Sequence, residues 1–121
     1  MSKTILTIDD SRTMRDMLML ALTDAGYRVV QAVDGVHGLE MLGAEKPDVI
    51  ITDINMPRMD GFGVIESVRR DDKHRATPIL VLTTESDAAK KERAREAGAT
   101  GWIVKPFNPE KLVSAIRRVA A

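Results

Sequence analysis

The sequence predicts an α/β fold, a doubly wound sheet of five parallel strands alternating with five helices. Three observations carry that expectation. Five short runs rich in Val, Ile and Leu are spread along 121 residues, a length that suits one domain. The runs are apolar on both faces, as strands covered on both sides of a parallel sheet are. Between them lie segments whose apolar residues recur at helical spacing.

The expected strands are Thr4–Ile8, Arg28–Val33, Asp48–Thr52, Ile79–Leu82 and Trp102–Val104. Met14, Leu18, Ala21, Leu22 and Ala25 form the stripe of the first helix, and Gly26 is placed to stop it. Val36, Leu39 and Leu42 form the second stripe, and Phe62, Ile65 and Val68 the third. Leu112, Ile116 and Val119 form the last, with Pro109 near its start, where proline is tolerated. The fourth helix, around Asp87–Ala97, is mostly alanine and charge. Its grip on the sheet should be weaker. No linker, repeat or low-complexity segment divides the chain, so residues 1–121 are expected to be one domain.

Bulk composition narrows the function. Lys plus Arg and Asp plus Glu both number 18, giving a net charge of zero. Such a balance provides no electrostatic footprint for nucleic acid or an anionic membrane. With no cysteine, disulfides, thiol catalysis and thiolate metal sites are excluded. The short apolar run after Lys3 is not a signal peptide, and no stretch approaches transmembrane length. A soluble, cytoplasmic domain is expected. Aromatics are scarce, so Val, Ile, Leu, Met and Ala must fill the core.

In open α/β sheets, ligands bind beyond the carboxyl ends of the strands, where strand order reverses. The first strand ends on Asp9-Asp10, the third on Asp53, the fourth on Thr83-Thr84 and the fifth on Lys105-Pro106. The second has no comparable polar end and runs into Ala32-Val33-Asp34. Each residue alone has a plain explanation. Asp10 or Ser11 is placed to cap the first helix, Thr83 to bond backbone, and Lys105 to point into solvent. Convergence shifts the balance, because four strand ends carry one mutually compatible set.

Clustered carboxylates need a cation or a shared proton. His37 and His74 are expected in helical regions away from the strand ends, so the available ligands are all oxygen. Hard oxygen ligands suit Mg²⁺ or Mn²⁺. A lysine and a threonine hydroxyl suit phosphoryl oxygens. Carboxylates for a metal, one carboxylate as nucleophile and donors for a phosphoryl group make a phosphoryl-transfer site.

The segments "IDDSRTMR", "DVIITDINMPRMDGFGVIESVR", "PILVLTTES" and "AGATGWIVKPF", in this order and spacing, cover essentially the whole chain. In them the chain resembles the receiver domain of two-component response regulators, most closely the stand-alone chemotaxis type, CheY. The resemblance implies the flavodoxin-like strand order 2-1-3-4-5, which is that of CheY itself. It implies that Asp53 is the phosphoacceptor, that Asp10 ligates Mg²⁺ directly, and that Asp9 supports the metal less directly. It also implies that the backbone carbonyl of Asn55 reaches the metal. Thr83, with Thr84 beside it, and Lys105 would receive the phosphoryl oxygens, and a cis peptide would join Lys105 to Pro106.

Further roles follow from the same resemblance. Asn55 and Glu85 would border the attacking water's path and tune dephosphorylation. Trp102 occupies the position of a switch aromatic, where the family more often has Tyr, Phe or His. A two-ring side chain needs more room to turn, so a static core role stays open. The output face would include Lys90, Lys91, Trp102 and Lys111.

The resulting expectation is a monomeric switch, phosphorylated on Asp53 by a histidine kinase of the chemotaxis type. Its only catalysis would be its own phosphoryl transfer and autodephosphorylation. No DNA-binding or catalytic output domain is expected after Ala121, so a protein target is expected, foremost a flagellar motor switch protein. A phosphate sink or a relay receiver in another pathway is the alternative. Two other classes fit less well. A dehalogenase-type phosphohydrolase wants Asp-x-Asp, and the third strand ends on Asp53-Ile54-Asn55. A flavodoxin-like cofactor binder wants a phosphate-cradling loop where Asp9 and Asp10 stand.

Overall fold

The computed structural model describes residues 3–120. Strand and helix alternate throughout: β1 (Thr4–Ile8), α1 (Arg12–Asp24), β2 (Arg28–Ala32), α2 (Gly35–Glu45), β3 (Val49–Thr52), α3 (Gly61–Arg70), β4 (Ile79–Thr83), α4 (Ala88–Ala97), β5 (Gly101–Val104) and α5 (Pro109–Val119). The strands form one parallel sheet in the order β2-β1-β3-β4-β5. Fold class and strand order are those expected, and every strand lies within one residue of its expected bounds.

Successive strand residues feed opposite faces, which explains the doubly apolar runs. Leu6, Ile8, Ile50, Ile79 and Val81 pack with α2, α3 and α4. Ile5, Val49, Ile51, Leu80 and Leu82 pack with α1 and α5. The helices start on side-chain caps: Ser11, Asp34, Asp60, Asp87 and Asn108 each accept from a backbone N–H in the first turn. Neither Asp9 nor Asp10 is the cap of α1; Ser11 is. At the other end of α1, Gly26 has φ 92°. Gly26 and Tyr27 donate to Thr23 and Leu22, the paired bonds that close a helix on a left-handed residue. Helix α4 buries only Ala94, consistent with its composition.

Two expectations about histidine need correction. His37 lies in α2, but its Nδ1 accepts from Val33 N at 3.1 Å, beside the end of β2. His74 is not helical. It sits in the turn after α3, which Asp71 creates by accepting from Lys73 N and pairing with the His74 ring. A short carboxylate that bonds its own downstream backbone competes with the helix and ends it.

Candidate functional site: an acidic pocket with a bridging lysine

Register brings the pocket together. Ile8 lies opposite Thr52 in the β1–β3 pair, so the next residues, Asp9 and Asp53, emerge side by side. Asp53 N donates to Ile8 O at 3.0 Å, which extends the ladder one step past the strands. Across the sheet, Thr83 lies opposite Val104, and Lys105 N donates to Thr83 O at 2.8 Å. The lysine stem therefore starts from a fixed backbone.

Lys105 Nζ donates to Asp9 Oδ2 and to Asp53 Oδ2, each at 2.8 Å. The three side chains are only 9, 3 and 12% exposed respectively. Burial alone would lower the lysine pKa, but the bonds to Asp53 and Asp9 and their charges outweigh it and hold it above the ordinary value. The remaining carboxylate oxygens are also used. Asp9 Oδ1 accepts from Ser11 N at 2.9 Å, and Asp53 Oδ1 accepts from Ile54 N at 2.7 Å. Asp10 is exposed, yet oxygens of Asp9, Asp10 and Asp53 lie within 4.8 Å of one another. One shared ammonium leaves this set with net negative charge. An all-oxygen donor set of this kind fits a hard divalent cation.

The pocket's other members are held nearby. Thr83 is fully buried and its Oγ1 accepts from Glu85 N at 3.3 Å, leaving the hydroxyl proton free to donate. Thr84 is exposed one residue beyond the strand. The Lys105–Pro106 peptide is cis. Gly61 brings α3 against the pocket floor. Its N–H donates to Ile54 O at 2.8 Å, and a Cβ there would lie 2.2 Å from Asp53 O.

Glu85 joins pocket to surface. Its Oε1 accepts from Asn55 Nδ2 at 3.1 Å and from Lys90 Nζ at 3.0 Å. The Asn55 amide, then Lys90, hold the Glu85 carboxyl below the usual range. Its backbone carbonyl accepts from Trp102 Nε1 at 3.2 Å. Trp102 is half-buried and packs on the α2–α4 side of the core. With Lys91 it also lines an open groove of about 400 Å³ between α4 and β5. Lys111 borders a second groove on the other side of Trp102. Lys90 turns back toward Glu85.

The resemblance stated above becomes membership on one finding: the response regulator receiver domain family matches residues 5–117. This chain belongs to that family. The receiver domain is 45% identical to chemotaxis protein CheY4 of Vibrio cholerae, whose structure it matches with a TM-score of 0.93 over 98% of this chain and 99% of that one. A response regulator structure from Chloroflexus aurantiacus gives a TM-score of 0.95 at 35% identity, over 99 and 98% of the two chains. Among curated relatives, a probable transcriptional regulator of Guillardia theta is 41% identical over 115 residues, 95% of this chain and 44% of its own. Response regulator MprA of Mycobacterium ulcerans is 40% identical over 119 residues, 97% of this chain and 50% of its own. The receiver domain thus spans about half the length of these relatives. Receiver domains work with histidine kinases and bind Mg²⁺ at an acidic pocket; Asp9, Asp10 and Asp53 form an acidic cluster here. Among the described residues, no helix is long and apolar enough to cross a membrane.

Two features were not read from sequence. Asp34, passed over at the end of β2, is 5% exposed and paired with Arg58. The Lys90–Glu85 pair was also missed.

Proposed function

We propose that this receiver domain is a phosphorylation switch in which Asp53 accepts a phosphoryl group from a phosphohistidine of a kinase. An Asp53 carboxylate oxygen attacks phosphorus, and the P–N bond breaks. The electron pair goes to the imidazole nitrogen, which takes a proton from water. The observation that carries this reading is the Lys105 ammonium 2.8 Å from the Asp53 carboxylate, with Asp9 and Asp10 alongside. Asp10, Asp9, Asp53 and the Asn55 carbonyl are the groups that would hold Mg²⁺. Bound there, the ion supplies positive charge against the phosphoryl oxygens.

The chain's own residues then divide the work. Lys105 gives one of its two contacts to a phosphoryl oxygen, and the Thr83 hydroxyl donates to another. Movement of Thr83 shifts Glu85 and, through its carbonyl, Trp102. Phosphorylation biases two states only through such differential contacts. Asn55 and Glu85, tied by their side chains, set access of water to the phosphoryl group.

For the target, we place the domain first in chemotaxis and motor control, as a monomer binding a flagellar motor switch protein. CheY4, matched over nearly its whole chain, supports this. A second reading, supported by the relatives named as transcriptional regulators, makes the domain the receiver part of such a regulator. A phosphate sink or relay receiver is a third. Affinity capture from lysate with Mg²⁺ and beryllofluoride, a phosphoryl mimic, separates the first reading from the third. A flagellar switch protein retained only with the mimic supports motor control. A phosphotransfer histidine protein retained without any switch protein points to the sink or relay.

A further inference from the structure

The loop from β3 to α3 carries Asp53 at its start and Asn55 two residues later, so its shape sets the floor of the pocket. Its middle is fixed to α2 by a two-point fork. Arg58 Nε donates to Asp34 Oδ2 at 2.7 Å and Nη2 to Oδ1 at 3.1 Å, the geometry in which arginine holds a carboxylate most firmly. Asp34 is itself buried and caps α2, its Oδ1 accepting from His37 N at 2.9 Å. One residue on, a Cβ at Gly35 would lie 2.5 Å from Met59 O, so loop and helix meet backbone to backbone. Arg58 is left-handed, with φ 65°, a conformation that costs any residue with a side chain. Glycine would hold that turn more cheaply. The arginine found there is spent on Asp34, whose carboxyl it keeps below the usual range.

We infer that Arg58 is a positioning residue for the acidic pocket: its fork on Asp34 locks the β3–α3 loop so that Asp53 and Asn55 stay where a divalent cation is held. The inference rests on the Mg²⁺ reading above. Charge and positioning make opposite forecasts for Arg58. Removing a cation near the pocket should tighten Mg²⁺ on electrostatic grounds, whereas unlocking the loop should loosen it.

Calorimetric titration of Mg²⁺ into the full chain tests this, using the wild type, Arg58→Met, Asp34→Ser and the double variant. Serine keeps the cap of α2 while removing the fork. Each single variant is expected to bind on the order of tenfold more weakly, as loss of an outer partner of a metal site does. The double variant should be no weaker than either, because both changes remove one contact. Arg58→Lys should recover part of the affinity. Amide hydrogen exchange at residues 55–60 should accelerate in the forkless variants without Mg²⁺, a readout independent of metal. Arg58→Met binding as tightly as wild type overturns the inference, as does a double variant whose loss is the product of the singles. A wild type that takes up no Mg²⁺ overturns the metal reading itself, and the inference with it.

Discussion

Lys105 lies 2.8 Å from Asp53 although 52 residues separate them in the chain, and the same ammonium holds Asp9 at the same distance. One cation serves two nearly buried carboxylates. Its proton is held more tightly in the folded chain than in the unfolded one, since the lysine pKa is raised above 10.5. A raised folded pKa gives stability that is complete below the unfolded value and is lost as pH rises through the folded one. Unfolding of wild type and Lys105→Met between pH 7 and 11 checks this. The difference between them should stay level to about pH 10 and shrink only above it. A difference already falling between pH 7 and 9 would show that the lysine is not paired as described.

Chelation of Mg²⁺ should abolish labelling of Asp53 by a small phosphodonor. Asp10→Asn should raise the Mg²⁺ concentration required by on the order of tenfold or more. Mass spectrometry of the intact chain counts the phosphoryl groups. Undiminished labelling in chelator would remove Asp9 and Asp10 from the roles given to them.

Gly61→Ala should destabilise the fold by about 2–3 kcal/mol and slow phosphorylation. A Cβ there meets Asp53 O at 2.2 Å, and that contact is backbone, which cannot rotate away. Denaturant unfolding measures the first effect and phosphodonor kinetics the second. A variant as stable as wild type contradicts the close packing of α3 on the pocket.

Thr7→Val should stabilise the chain by about 1 kcal/mol. Thr7 is fully buried on β1, and among the described residues its Oγ1 has no partner. Valine keeps the shape and removes the polar atom. A lowered unfolding midpoint would mean that the hydroxyl is hydrogen-bonded after all.

Trp102 is the only tryptophan, so its emission reports one site. Its indole bonds the Glu85 carbonyl, and Glu85 N bonds Thr83 Oγ1. Beryllofluoride with Mg²⁺ should therefore shift the emission, and Asn55→Ala and Glu85→Ala should each change the phosphoryl lifetime several-fold. The double change should be less than additive, since the two side chains share one bond. An unmoved spectrum assigns Trp102 to a static packing role.

Sequence alone determined the fold class and the main members of the pocket. Strand residues apolar on both faces need cover on both sides, and polar residues just past such strands have one place to go. Asp9, Asp10, Asp53, Thr83 and Lys105 were legible for that reason. Tertiary structure decided how they pair. The β1–β3 register set Asp9 beside Asp53, and a backbone bond from Lys105 to Thr83 aimed the lysine at both. Asp34–Arg58 and Glu85–Lys90 were hidden because nothing periodic marks a contact between a helix cap and a loop, or between a loop carboxylate and a helix lysine. Such contacts depend on where irregular backbone runs, and only the packed chain fixes that.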